Sequence, residues 1–157
     1  MVGEPVASAH SQVVADPLAD PLAAARRHRV ELLDTIHAFE RALAVPAADP
    51  AWRPRVNRQL DRLRDAFADH VTLTEGVGGL YAGLLGDAPR LANAVHVLVD
   101  EHQAIGGTLG TFIDEPDIDP ERLRAWAGTV LHDLSRHRQR GADLIYEAYI
   151  TDIGGED

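Results

Sequence analysis

Four long stretches of this sequence repeat apolar residues at a spacing near 3.6, and only short breakers separate them. The breakers are Pro46 to Pro50, Gly86 to Pro89, and Glu115 to Pro120. A 3.6 period gathers apolar side chains on one stripe of a helix, and loops this short set successive helices side by side in opposite directions. The spacing therefore predicts an all-α fold, an antiparallel up-down-up-down four-helix bundle. Its helices are expected over Asp20 to Ala44, Ala51 to Leu85, Pro89 to Ile113 and Asp119 to Tyr149. No stretch alternates apolar and polar residues over the length of a strand, so no sheet is expected.

Around this bundle, assigned to residues 21–150, residues 1–20 read as a flexible leader and 151–157 as a C-terminal tail. Asp119 before Pro120 has the pattern of an N-cap followed by proline at the first helical position, and Asp87-Ala88-Pro89 suggests a similar start. Gly86 is placed to end the second helix. Gly76, Gly78 and Gly79 fall inside that helix, where each costs up to about 1 kcal/mol against alanine. Such a cluster calls for a distortion or for close packing.

Composition removes several classes of function. Lys and Arg number 15 against 25 Asp and Glu, a formal charge of −10, which repels nucleic acid and anionic membrane surfaces. The chain has no cysteine, so disulfides, thiolate nucleophiles and Cys-held metals are excluded. Any metal has to sit on nitrogen and oxygen. No apolar run approaches the roughly 18 residues of a membrane span, and no signal peptide is apparent, so a cytoplasmic protein is expected.

Four of the eight histidines fall on the apolar stripes, one in each helix. His28 aligns with Leu32, Ile36, Phe39 and Leu43, and His70 with Leu63, Phe67, Leu73, Val77 and Tyr81. His102 shares the stripe of Leu91, Val95, Leu98, Ile105 and Leu109, and His137 that of Trp126, Val130, Leu134 and Leu144. His96 and His132 share their faces with polar neighbours, His37 lies opposite His28, and His10 is in the leader. A single histidine on an apolar face is usually a hydrogen-bonded core residue. Four, one per helix, point instead to a metal site, since imidazole suits iron, copper, nickel and zinc. Counted from the loops, His28 and His70 are level, while His70 and His102 are offset by roughly 5 Å and His102 and His137 by roughly 9 Å.

With these pieces in view, the sequence resembles the hemerythrin-like HHE cation-binding family. The resemblance rests on Arg27-His28-Arg29, on His70-Val71-Thr72-Leu73-Thr74-Glu75, on Glu101-His102-Gln103-Ala104-Ile105, and on His137 with Arg138-Gln139-Arg140-Gly141-Ala142-Asp143. It also looks like an actinobacterial branch of that family, and the resemblance covers roughly Arg26 to Glu156. It implies a non-haem iron centre, mono- or di-iron, that binds oxygen, nitric oxide or peroxide for sensing, storage or scavenging.

The family's second and fourth helices carry His-x-x-x-Glu, whose carboxylates bridge two irons; here those positions are Thr74 and Gly141. Glu75, five residues from His70, takes that role only if the helix bulges, and is otherwise a surface glutamate. Asp133, four residues before His137, shares its face and is the carboxylate candidate on the fourth helix, as a ligand, as a partner of the ring's other nitrogen, or as a simple ion pair. The candidate metal ligands are thus His28, His70, Glu75, His102, His137 and Asp133. Two other functions remain open: a diverged metal-dependent oxidase or oxygenase acting on a small organic substrate, for which Gly141 would vacate space beside His137, and a metal-free helical module.

Overall fold

The computed structural model describes residues 19–111 and 117–153. Among them every regular element is helical. Four long helices, α1 (Ala19–Ala44), α2 (Trp52–Glu75), α4 (Ala92–Thr111) and α5 (Pro120–Ile153), pack around one core; a short helix, α3 (Leu80–Asp87), and a 3₁₀ turn (Pro89–Leu91) link α2 to α4. None of these helices is long and apolar enough to cross a membrane. Asp119 caps α5 as its sequence suggested, its carboxylate accepting hydrogen bonds from the N–H groups of Glu121 and Arg122 at 3.1 and 3.2 Å.

Arginines tie the helix ends together. Arg124, near the start of α5, donates to the carbonyls of Leu43 and Val45 at the end of α1. Arg64 of α2 donates to Leu109 O near the end of α4 at 2.6 Å, and Arg90, just before α4, donates to Glu147 O near the end of α5 at 3.2 Å. The bonds to Leu43 and Leu109 reach carbonyls in a last turn, where no intrahelical partner exists, and each arginine places a cation near the negative end of the helix it meets.

The main departure from expectation is the second helix, which does not run to Leu85. It stops at Glu75, and the chain turns before restarting at Leu80. The glycines are the reason, but through a break and not a bulge. Gly78 adopts a positive φ of 71°, open to glycine at little cost. A Cβ on Gly79 would lie 2.7, 2.7 and 2.9 Å from the backbone carbonyl oxygens of Gly76, Leu73 and Thr74. Val77, assigned to the apolar stripe, is fully exposed on this turn. Gly86 lies inside α3 and caps nothing; Ala88 follows the helix end instead. Gly79→Ala is expected to destabilise the chain by about 1 to 3 kcal/mol, the usual cost of overpacking, whereas Gly141→Ala, whose Cβ meets nothing within 4 Å, should be neutral or stabilising. Urea midpoints of the two variants measure this, and an unchanged midpoint for Gly79→Ala would show that the turn relaxes freely.

At the other boundaries α1 ends at Ala44 as expected, α4 proper begins at Ala92, and α5 runs past residue 150 into the segment read as tail. The expected leader up to residue 18, Ile113 and residues 154–157 lie outside the described residues.

The core divides into two apolar clusters. One gathers Phe39, Trp52, Leu63, Phe67, Ile105, Leu109, Val130 and Leu134; the other gathers Leu80, Tyr81, Leu84, Val95, Leu98 and Leu144. His102 lies between Leu98 and Ile105 along α4, and His137 between Leu134 and Leu144 along α5. The histidines thus form a polar seam between two dry layers.

Candidate metal centre

Three helices deliver one imidazole each to this seam. His70 of α2, His102 of α4 and His137 of α5 each offer a nitrogen, and these atoms all lie within 4.8 Å of one another. His70 Nε2 is 3.1 Å from Nε2 of His102 and 3.1 Å from Nε2 of His137. His102 and His137 are almost fully buried, at 3% and 1% exposure. Phe67 lies about one ring away from all three, with centroids 5.8 to 6.3 Å distant, and Tyr81 stacks on His102 at 5.9 Å. Water is thereby kept from much of the seam.

Two of the rings are held from behind by carboxylates. His102 Nδ1 meets Glu75 Oε1 at 2.5 Å, and His137 Nδ1 meets Glu101 Oε2 at 2.9 Å. Arg140 forms an ion pair with the other oxygen of Glu101. A carboxylate beside Nδ1 keeps the ring proton there, so Nε2 presents its lone pair. Two such lone pairs then face His70 Nε2, which has a single site for a proton. One proton cannot serve both acceptors fully in a buried place, but a cation among the three nitrogens would satisfy them all.

Burial also keeps the rings neutral. Loss of solvent pushes the pKa of His70 down to about 3, helped by the neighbouring His102 and His137, and that of His102 down to about 3. His137 falls to about 4 for the same reason. Neutral imidazole is the form that ligates metals.

Not every expected residue joins the group. His28 does not: its side chain is 30% exposed, and its Nδ1 pairs with Glu31, one turn along α1, at 3.2 Å. That solvent-side carboxylate offers the ring a partner outside the core, although His28 still lines a cavity next to His70 and His137. Asp133 does not join either; it is half-buried and makes no hydrogen bond or ion pair among the described residues. Glu101 has taken the Nδ1 of His137 and Nε2 faces the cluster, so no ring nitrogen is left for Asp133. Glu75 comes to the site not through a bulge but as the last residue of α2, where the break frees its side chain to reach His102. It touches the outer nitrogen of the ring and is no member of the three-nitrogen group. Thr74, four residues after His70, turns its hydroxyl onto His70 O at 2.8 Å. His37, His96 and His132 are exposed, as their helix faces indicated. Glu101 was not among the sequence candidates; its adjacency to His102 was the one available signal.

Two hollows flank the cluster. The cavity on the α1–α5 side, about 30 Å³, is lined by His28, Arg29, His70, Tyr81, His137, Arg138 and Gly141 among others. A wider groove of about 520 Å³, open to solvent, lies between α2 and α4 and reaches Glu75 and His102 but neither His70 nor His137. Compared with known proteins, the chain matches no family model, no curated protein and no solved structure.

Proposed function

We propose that His70, His102 and His137 hold one redox-active metal ion, iron first among the candidates, and that the chain is a hemerythrin-like protein that meets oxygen, nitric oxide or peroxide for sensing, storage or scavenging. The observation that carries this reading is the convergence of three imidazole nitrogens, two of them on buried rings anchored by carboxylates. Donors about 2.1 Å from one ion and about 90° apart lie about 3 Å from each other; the two closest Nε2 separations here are 3.1 Å. The donor set is nitrogen alone, which suits iron, copper, nickel or zinc and disfavours magnesium or calcium.

An antiparallel up-down-up-down order belongs to the same proposal. It is supported by the arginine bonds that join the start of α5 to the end of α1 and the start of α4 to the end of α5. A single ion, where the family pattern has two, is favoured by Thr74 and Gly141, which offer no bridging carboxylate. Bound iron would supply one-electron chemistry and open coordination positions. The chain itself orients the rings through Glu75 and Glu101, keeps their Nε2 lone pairs free, and excludes water with Phe67 and Tyr81.

The enclosed space bordered by His70 and His137 has room for about two water-sized spheres, which fits a diatomic ligand or peroxide and not an organic substrate. The larger groove is lined by His102 and Glu75 but by neither His70 nor His137. Anaerobic Fe(II) titration of the chelator-treated chain, followed by air, tests the reading. One tightly held equivalent and a ligand-to-metal charge-transfer band are expected; neither bound iron nor a new band would overturn it.

A further inference from the structure

One iron ion and one peroxide do not balance. Reduction of hydrogen peroxide to hydroxide and water takes two electrons, and Fe(II) becoming Fe(III) supplies one. A second has to come from elsewhere, and the chain is poor in side chains that yield one: no Cys, one Met, two Trp and three Tyr. Thiols and thioethers, the usual targets of oxidation, are thus nearly absent, and Met1 lies outside the described residues.

One tyrosine is built into the seam. Tyr81 of α3 is 6% exposed, and its ring stacks on that of His102, 5.9 Å between centroids and 11° from parallel. With His70, His137 and Thr74 it also borders the enclosed hollow of about 30 Å³, which has room for a peroxide. The glycine turn puts it there. In an unbroken α2, Tyr81, eleven residues after His70, would stand about 16 Å further along the axis; the break at Gly76 to Gly79 folds it back onto His102. The Thr74 side chain lies beside the phenol and gives its own hydrogen to carbonyls of α2, so it turns a lone pair to Tyr81.

The other candidates stand elsewhere. Trp126, Tyr146 and Tyr149 are nine or more residues from His137 along α5, hence at least about 13 Å away. Trp52 belongs to the other apolar cluster, where Arg53 and Arg124 lie 5.3 and 5.2 Å from its ring, and their charge opposes the removal of an electron.

We propose that Tyr81 is the redox-active residue of this centre, giving the second electron, together with its phenolic hydrogen, when hydrogen peroxide meets the iron-loaded chain. In this step the O–O bond breaks. One electron is taken from Fe(II), which becomes Fe(III), and one oxygen leaves as hydroxide. The other oxygen takes the electron and the proton of Tyr81 and leaves as water, and a neutral tyrosyl radical stays on the ring. Thr74, which borders the hollow as well, is the group through which that proton leaves the phenol. The inference rests on the metal-centre reading and narrows its ligands to one substrate, peroxide.

The test uses the full chain, stripped by chelator, reloaded anaerobically with one equivalent of Fe(II), mixed with limiting hydrogen peroxide and freeze-quenched. Electron paramagnetic resonance of the parent chain is expected to show an organic radical beside Fe(III), and growth on ring-deuterated tyrosine should narrow its signal. Tyr81→Phe keeps the stacked ring and removes the hydroxyl; it should bind iron as the parent does and lose the radical. Tyr146→Phe and Tyr149→Phe should keep it. Peroxide consumption is a second readout. The parent should use one peroxide for each Fe(II) oxidised, and Tyr81→Phe half as much, because two irons must then share one peroxide. A parent chain that oxidises its iron without a radical, or a radical unchanged in Tyr81→Phe, would overturn the proposal and leave the metal reading standing. A chain that takes up no iron overturns the metal reading, and the proposal falls with it.

Discussion

Alanine at His70, His102 or His137 is expected to lower metal affinity by more than about 100-fold each, because loss of a partner behind a ligand alone costs roughly 10- to 100-fold. The three rings converge within 4.8 Å, and no other donor among the described residues stands ready to replace one. Glu75→Gln and Glu101→Gln, which keep shape and remove charge, should fall in the 10- to 100-fold range, since each fixes the tautomer of the ring it touches. Alanine at His37, His96 or His132 should leave affinity unchanged, as these side chains are exposed. His28→Ala is the discriminating variant. It borders the cavity but stands outside the nitrogen group, so its effect on affinity should be small. Competition against a chromophoric chelator, with circular dichroism to confirm folding, reads all of these. A loss for His28→Ala as large as that for His70→Ala would restore a four-histidine centre.

The helical stripes were legible because a 3.6 period is a property of one segment at a time. His70, His102 and His137 could be read on them for the same reason, and so could the exposure of His96 and His132. What failed were features set by neighbouring segments. Glu101 precedes His102 by one position and so projects about 100° away from it. It faces His137 only because α4 packs against α5, which no single-helix pattern contains. Asp133 shares its helix face with His137, yet a residue from another helix had already taken the only nitrogen available to it. The glycine cluster announced an irregularity at Gly76 to Gly79 but not its kind; a helix end and a bulge use the same residues. That difference also accounts for the depth offset expected between His70 and His102. Ending α2 at Glu75 and inserting α3 lengthens the connection beyond the single tight loop from which the offset was counted.

Acid is expected to unfold the metal-free chain far more steeply than its composition suggests. In the native state burial holds His70 and His102 near 3 and His137 near 4; in the unfolded chain each returns to about 6.5. Between these values the unfolded state binds up to three more protons than the native state, so stability falls as pH falls. The slope is about 1.4 kcal/mol per pH unit for each histidine, hence up to about 4 kcal/mol per unit for three. Glu75, raised by its partial burial, works in the opposite direction at the acid end, so the histidine contribution reads most cleanly just below pH 6.5. Against a typical total of about 5 to 15 kcal/mol, one and a half units of such a slope removes up to about 6 kcal/mol, a large share of the stability of a domain of this size. Bound metal competes with the protons and should move the transition to lower pH. Urea melts across pH 5 to 7 measure the slope directly. A chain carrying His70→Leu, His102→Leu and His137→Leu removes the titrating groups while keeping the seam filled, and its slope should be nearly flat. Equal slopes for the two metal-free chains would mean that these rings titrate in the native state as they do in water, and the neutral, lone-pair-bearing cluster on which metal binding depends would be lost with that result.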